Sequence, residues 1–215
     1  MAQKRITVEE AVAKIHSGMT IMCGGFLANG SANKILAALA QTDVKDLTLI
    51  CNDSCMGATG IGVLFEKKQV KRIYASWVGG NQWHQEQMNS GETETILVPQ
   101  GTLAERIRCG GNGLGGVLTP VGLGTIVANG KQIINVDGKD YLLETPLHAD
   151  LALIGASKGD EMGNLVYYGT SQNFNPLMAT AADLVIAEVD EVVPVGEIAP
   201  ENVRTPGILV DYMVY

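Results

Sequence analysis

Short apolar runs alternate with helix-forming stretches along this chain, and that alternation constrains its fold more than any other feature. The runs at 20–23, 47–51, 72–75 and 95–98 have the length of buried strands. Helical patterns lie between several of them and provide the crossovers that parallel strands require. The sequence therefore predicts an α/β fold of three layers, with a mainly parallel sheet between helices on both faces.

Capping signals indicate where several helices begin. Thr7 and Glu10 form a capping box that opens the first helix, which Gly18 can close. Thr102 and Glu105 form a second box. The other helices predicted from such signals lie at 31–40, at 81–88 and after Asn175, which is followed by Pro176 at the first helical position.

The second half of the chain interrupts the alternation with an antiparallel insertion. Residues 110–124 are rich in glycine and almost uncharged, which predicts a long irregular loop. The runs 133–136 and 141–143 flank Asp137-Gly138, a dipeptide that favours a β-hairpin. Since no repeat or linker divides the chain, we expect one domain over residues 1–215. Further strands are predicted at 151–154, 165–168, 184–187 and 208–210.

Composition and charge argue against several classes of function. A net charge of −8 disfavours binding to a nucleic acid, and the basic run 67–72 has the pattern of a solvated helix end. No stretch reaches the roughly 18 apolar residues of a membrane span, and the amino terminus carries no apolar leader, so we expect a soluble, cytoplasmic protein. Four cysteines and three histidines lack metal-ligand spacing, which predicts reduced thiols and no metal site.

The most informative local segment is the turn Gly24-Gly25-Phe26-Leu27-Ala28-Asn29-Gly30. It follows the apolar run 20–23 and precedes a helix-start signal at Ser31. Glycines at such a place let backbone N–H groups approach a ligand, and the helix N-terminus adds about half a positive charge. The segment therefore suits a phosphate-bearing ligand, while the same pattern also occurs in plain strand-to-helix turns.

Polar residues follow two of the predicted strands. Asn52 and Asp53 come directly after the strand at 47–51, and Gln100 follows the strand at 95–98. Ligands of open parallel sheets gather at the carboxyl ends of the strands, where Asn and Gln can orient a carboxylate or a thioester carbonyl. The same residues also suit turns and caps. The GxGxxG match at 111–116 follows a helix instead of a strand, so it does not indicate a dinucleotide site.

Several ordered segments closely resemble the alpha subunits of the family I CoA-transferases, the short-chain 3-oxoacid and acetate or butyrate–acetoacetate group. One departure is Ala32, where the family has proline, and we expect it to have a small effect because alanine is a strong helix former. The matching segments are Gly24-Gly25-Phe26 with Gly30, residues 98–108, residues 113–120, Asp137-Gly138-Lys139 with residues 141–144, residues 173–176 and Thr205-Pro206-Gly207.

The resemblance implies a ping-pong transfer of CoA between short-chain acids through a glutamyl-CoA thioester. In two-chain members the glutamate lies on the beta subunit, in a Ser-x-Glu-Asn-Gly type of motif, and no Glu-Asn-Gly occurs here. We therefore expect structural roles for Glu105, Glu144 and Glu188. The resemblance further implies that residues 24–30 bind CoA, that Asn52 and Gln100 support the reaction, and that CoA is a substrate, with no permanently bound cofactor.

The implied partners are a beta subunit, in an α2β2 assembly, and acetyl-CoA or butyryl-CoA with acetoacetate or acetate. The lack of further Arg or Lys in recognisable pocket motifs disfavours succinate and 3-oxoadipate, which need a partner for a second carboxylate. Two alternatives stay open. A sugar-phosphate isomerase of related fold would be active as a single chain, whereas a non-catalytic CoA-binding or regulatory subunit would show no turnover.

Overall fold

The computed structural model describes residues 4–215, and eleven strands form two sheets in it. In chain order the strands are β1 (Thr20–Cys23), β2 (Leu47–Cys51), β3 (Val70–Ala75), β4 (Glu94–Leu97), β5 (Val117–Thr119), β6 (Ile133–Val136), β7 (Lys139–Glu144), β8 (Ala149–Asp160), β9 (Leu165–Val166), β10 (Ala182–Val193) and β11 (Tyr212–Val214). The helices are α1 (Val8–Val12), α2 (Asn33–Leu39), α3 (Gly62–Glu66), α4 (Gln82–Ser90), α5 (Gln100–Gly111) and α6 (Asn175–Met178).

The large sheet has the order β11-β10-β8-β1-β2-β3-β4, and every neighbouring pair in it is parallel. Strand β9 pairs with β8 in the antiparallel sense. The predicted mainly parallel sheet is confirmed. Because all seven strands point the same way, the residues that follow β1, β2, β3 and β4 meet at one edge of the sheet.

Helices cover both faces of this sheet, as predicted. On β1, Ile21 and Cys23 pack into one apolar cluster with α1, α2 and α3. Met22, between them in sequence, packs into a second cluster with α5 and α6 on the opposite face. Successive side chains of a strand point to opposite faces, so a strand that is apolar throughout must be covered on both sides. No helix within residues 4–215 is long and apolar enough to cross a membrane.

The inserted antiparallel hairpin is confirmed. Asp137 and Gly138 adopt φ values of 50° and 78°, the left-handed pair that a two-residue hairpin turn requires. Strands β6 and β7 flank this turn, and β5 pairs with β7 to complete a three-stranded sheet.

The prediction of one irregular loop over 110–124 is wrong in two places. Gly110 and Gly111 belong to α5, and β5 lies inside the segment. A Cβ on Gly110 would lie 2.0 Å from the carbonyl oxygen of Leu147, and one on Gly111 would lie 1.9 Å from Oγ1 of Thr180. These glycines permit close packing of a helix end, so their presence did not signal an irregular backbone.

Helix caps were predicted with mixed success. The capping box of Thr7 and Glu10 is present, with bonds of 2.8 and 3.1 Å between side chains and backbone. The box of Thr102 and Glu105 is not, because α5 already begins at Gln100. Glu105 instead pairs with Arg108 at 2.8 Å on the helix surface.

Two other helix starts lie close to, but not at, the predicted caps. Ala32 precedes α2 without a side-chain cap, and the hydroxyl of Ser31 donates to the carbonyl of Gly24 instead. Phe174 precedes α6, so Asn175 is the first helical residue and its side chain is free for tertiary contacts. At the first helix, α1 ends well before Gly18.

Three further sequence predictions are wrong. The basic run 67–72 was predicted to be a helix end, but α3 ends at Glu66 and β3 begins at Val70, so the last three residues of the run belong to a strand. The predicted last strand at 208–210 is a short 3₁₀ turn, Gly207–Leu209, in which Ile208 is 92 % exposed. The strand predicted at 165–168 stops after Val166. At 165–168 and 208–210 a short apolar run did not suffice to distinguish a strand from a turn.

Candidate active-site cleft

A cleft of about 530 Å³ opens at the carboxyl edge of β1 to β4. Each of these four strands contributes the residues that directly follow it, which is where ligands of open parallel sheets bind. The cleft therefore brings the predicted turn together with both predicted amide residues. It is lined by Phe26, Leu27, Asn52, Asp53, Ser76, Trp77 and Gln100.

A chain of hydrogen bonds forms the polar floor of the cleft. The hydroxyl of Ser76 lies within hydrogen-bond distance of Oε1 of Gln100 and 2.8 Å from the backbone carbonyl of Asn52. The side-chain amide of Asn52 donates to Oδ2 of Asp53 at 2.8 Å. The same carboxylate oxygen accepts the backbone N–H of Leu27 at 3.1 Å. Residues that follow β2, β3 and β4 are thus joined to the turn after β1.

The turn itself is a tight two-residue reversal. Phe26 and Asn29 exchange two backbone hydrogen bonds of 3.0 Å. Between them Leu27 and Ala28 have φ values of 48° and 69°. Non-glycine residues held in this left-handed region cost on the order of 1 kcal/mol each, and such strain clusters at ligand sites. The bond from Leu27 to Asp53 fixes the strained turn against the cleft floor.

The glycines of the turn serve close packing more than ligand access. A Cβ on Gly24 would lie 1.7 Å from Oδ1 of Asn175, and one on Gly30 would lie 2.3 Å from the carbonyl oxygen of Ser171. Both contacts come from residues about 140 positions or more further along the chain. The side-chain amide of Asn175 donates to the carbonyls of Gly30 and Ser171 at 2.9 Å each. The segment 171–175 thus packs against the turn and holds its backbone in place.

Most backbone N–H groups of the turn are occupied within the protein. Gly24 donates to the carbonyl of Leu153 and Gly25 donates to Oδ1 of Asn173, each at 2.9 Å. Within residues 4–215, Ala28 and Gly30 have no acceptor for theirs. The N–H groups of Gly24 and Gly25 are therefore not available to a ligand, whereas binding of a ligand by that of Gly30 stays a prediction.

The cleft is nearly without charge. Asp53 is the single ionisable side chain that lines it, and its oxygens accept bonds from Leu27, Asn52 and Cys55. No lysine or arginine of the described chain lines the cleft. The phosphates of a nucleotide-containing ligand would have no cationic partner here.

Glu188 and Glu144 do not line this cleft. The carboxylate of Glu188 accepts the backbone N–H groups of Lys34 and Ile35, at 2.8 and 3.0 Å, and so caps α2 from a neighbouring strand. Burial raises the pKa of Glu188, while these N–H donors act in the opposite direction. Glu144 is 1 % exposed and contacts Lys131.

The sequence analysis missed Ser76 and Trp77 as site residues. Both follow β3 as Asn52 and Asp53 follow β2, and a backbone bridge joins Asp53 to Trp77. Applying the strand-end rule to this third strand would have found them. The glycine segment 111–116 does not reach the cleft. Within residues 4–215, no group of three or more His, Cys, Asp or Glu side chains is placed to hold a metal ion.

The family model for coenzyme A transferases matches residues 5–215, almost the whole described chain. The chain belongs to the coenzyme A transferase family. It is 49 % identical over 214 residues to the acetate CoA-transferase subunit alpha of Escherichia coli K12, covering 100 % of this chain and 97 % of that protein. It is 48 % identical to the acetoacetyl-CoA:acetate/butyrate CoA transferase alpha subunit of Clostridium acetobutylicum, covering 100 % and 98 %. The family resemblance noted in the sequence is confirmed.

The fold of this family member also matches solved structures. The crystal structure of an acyl-CoA transferase from E. coli O157:H7, in a thioester complex with CoA, superposes with a TM-score of 0.89 at 23 % identity. The match covers 99 % of this chain and 47 % of that protein, so the chain spans about half of its length. At this level of identity the likeness concerns the fold, and it confirms the predicted CoA-transferase architecture.

Proposed function

We propose that this chain is the alpha subunit of a short-chain acyl-CoA:carboxylate CoA-transferase. It acts as one domain over residues 1–215, in the cytoplasm, where its four free, buried thiols stay reduced. Its substrates are acetyl-CoA or butyryl-CoA with acetoacetate or acetate, and CoA is exchanged as a substrate with no permanently bound cofactor. The likeness over the full chain, at 49 and 48 % identity, to alpha subunits named for acetate and for acetoacetyl-CoA:acetate/butyrate CoA transfer supports the proposal.

The observation that carries the proposal is the incompleteness of the cleft. It offers neutral amides, a hydroxyl and an apolar wall, but within the described chain it holds neither a glutamate nor a cation. Covalent CoA transfer needs a nucleophilic carboxylate, and CoA phosphates need positive charge. We infer that a second chain contributes these groups to the site. A beta subunit that supplies them, in an α2β2 assembly, accounts for what this cleft lacks.

In the proposed reaction a glutamate carboxylate of the beta subunit attacks the thioester carbonyl of the acyl-CoA and releases the CoA thiolate. The resulting acyl-glutamyl anhydride is attacked by that thiolate at the glutamyl carbonyl, which releases the first acid and leaves a glutamyl-CoA thioester. The carboxylate of the second acid reverses these steps. Covalent catalysis of this kind divides one difficult exchange into easier steps that pass through the enzyme carboxylate.

Asn52 and Gln100 have the supporting roles in this proposal. Oε1 of Gln100 is engaged with Ser76, so its NH₂ group is left to donate to an acid or a carbonyl in the cleft. The amide of Asn52 is 3 % exposed and orients Asp53. The turn 24–30 takes part in CoA binding, and its residues Phe26 and Leu27 form the wall beside the thioester. Neutral donors suit this reaction because they stabilise charge on an oxygen without pairing permanently with a carboxylate.

The test compares the chain alone with the chain co-purified with its beta subunit. Transfer from acetyl-CoA to acetoacetate and to butyrate is expected in the complex and not in the chain alone. Incubation with acyl-CoA, borohydride reduction and peptide mass mapping should place the modified glutamate on the beta subunit. Activity of the single chain would contradict the proposal. A complex active only with succinate or 3-oxoadipate, or one that binds CoA without turnover, would contradict the substrate assignment or the enzymatic role.

A further inference from the structure

Four large apolar side chains stand exposed around the cleft, and two of them, Met56 and Trp77, have no part in the proposed reaction. Phe26, Leu27, Met56 and Trp77 are 51, 40, 56 and 45 % exposed. Single exposed apolar residues are common, but a group of them around one concave site marks a place where an apolar ligand group is buried. Trp77 is the largest of the four and lines the cleft.

The Trp77 ring is held in place by the backbone below it. A Cβ on Gly79 would lie 2.9 Å from Cζ2 of Trp77, and one on Gly80 would lie 2.8 Å from Cη2. The ring thus lies flat on two glycines, and no other residue type fits beneath it without displacing the ring. Met56 also lies beside Gly80, because its Cγ would be 3.0 Å from a Cβ on that glycine. An exposed aromatic ring with this support is a fixed wall.

The cleft combines polar groups with an apolar wall. The NH₂ group of Gln100 can receive a carboxylate or thioester head, and a hydrocarbon tail can lie along Trp77 and Leu27. A second carboxylate on that tail would meet an apolar wall, and no lysine or arginine of the described chain lines the cleft to pair with it. Each methylene buried against such a wall changes binding about fourfold. The position of the ring therefore determines how many methylenes the cleft accepts.

We propose that Trp77, held by Gly79 and Gly80, is the specificity-determining residue that limits acyl-chain length and selects uncharged tails. This inference rests on the proposed function and adds to it the residue that selects the acid. The indole makes no bond to the reacting atoms. It acts as the end wall of the acyl site.

The experiment uses the complex with the beta subunit and compares wild type with Trp77→Ala and Trp77→Phe. The ratio kcat/KM is measured for isotopically labelled acetate, whose exchange into acetyl-CoA is followed, and for butyrate, hexanoate and succinate as acceptors, with acetyl-CoA as the donor throughout. Removing the indole should raise the hexanoate-to-acetate ratio about tenfold, and Trp77→Phe should give an intermediate ratio. Ile208→Ala, at a 92 % exposed position away from the cleft, is the control and should leave the ratio unchanged.

Three outcomes would overturn the inference. If all acids lose kcat/KM equally and the KM for acetyl-CoA rises, Trp77 contacts CoA and not the acyl chain. If Trp77→Ala folds but no longer elutes with the beta subunit on size exclusion, the ring belongs to the subunit interface. If Trp77→Ala does not fold, an unchanged acid profile in Trp77→Phe contradicts the assignment. A wild-type complex without any transfer activity would instead contradict the proposed function itself.

Discussion

Oδ1 of Asn175 lies 1.7 Å from the position that a Cβ on Gly24 would take, so the amide fills the space of that Cβ. Asn175 cannot withdraw, because it is fully buried and donates to the carbonyls of Gly30 and Ser171. The first glycine of the turn is therefore required by a residue in the last quarter of the chain. This contact links the amino-terminal half of the site to the helix α6.

Gly24→Ala should destabilise the purified chain by about 3 kcal/mol, because the added methyl group displaces a buried, hydrogen-bonded amide. Denaturant unfolding measures this change. Gly101→Ala is the matched control, since it lies in α5 with no atom within 4 Å of its Cβ position, and it should stabilise the chain by about 0.5–1 kcal/mol. Equal effects of the two substitutions would contradict the packing role of Gly24.

Gln100→Glu should lower kcat of the complex about a hundredfold while the fold is kept. The carboxylate still accepts the Ser76 hydroxyl, but it replaces the NH₂ donor that faces the cleft with an oxygen. Gln100→Ala should lower kcat to a similar degree. Gln132→Ala, at an exposed position outside the cleft, is the control. Full activity of Gln100→Glu would show that the donor has no part in the reaction.

Glu188→Ala should destabilise the chain by about 1–2 kcal/mol. It removes the acceptor for the backbone N–H groups of Lys34 and Ile35 at the start of α2, where no other side chain caps the helix. Glu188→Gln should cost less, because one amide oxygen can replace Oε2, which accepts from both groups. Thermal unfolding gives both values. A larger loss in Glu188→Gln than in Glu188→Ala would contradict the capping role.

Because of His84, the stability of the folded chain should decrease as the pH falls below about 6.5, the ordinary pKa of histidine. The ring is fully buried, stacks on Phe65 and contacts the hydroxyl of Thr95 at 2.8 Å, and burial lowers its pKa to about 4. The folded state therefore keeps His84 neutral while the unfolded state takes up a proton below about pH 6.5. Its contribution is present above that pH and decreases as the pH falls toward 4, by at most about 1.4 kcal/mol per pH unit.

Denaturant unfolding between pH 7 and pH 4.5 checks the role of His84. His84→Gln removes the titrating ring and should flatten the pH dependence in this range. His16→Gln, at an exposed position in the loop after α1, is the matched control and should leave it unchanged. A pH dependence that survives in His84→Gln would assign the effect to carboxylates.

The cysteines should be unreactive in the folded chain. Cys23, Cys51, Cys55 and Cys109 are free and buried, and burial raises the pKa of Cys55 to about 11 and those of Cys23 and Cys51 further. Since the thiolate is the reactive form, a neutral-pH thiol titration should detect none of the four groups in the native chain and all four in denaturant. Rapid labelling of the native chain, with loss of activity, would contradict this prediction.

The fold class, the strands β1 and β2, the hairpin and the first capping box could be predicted because each depends on residues close together in sequence. Apolar periodicity, an Asp-Gly pair and a Thr-to-Glu spacing act over ten residues or fewer. The same local reasoning failed for Asn175, whose tertiary bonds to Gly30 and Ser171 replace the cap it was predicted to form. It also failed at Gly110 and Gly111, which serve helix packing.

The sequence by itself determined that polar residues follow β2 and β4 and that a glycine turn follows β1. Only the tertiary structure decided that these three places, together with Ser76 and Trp77, form one cleft. Parallel strands bring their carboxyl ends together only when their order in the sheet is known, and that order depends on long crossovers and not on local patterns. The tertiary structure also decided that Asn175 packs against Gly24, because the two residues are 151 positions apart in the chain (175 − 24).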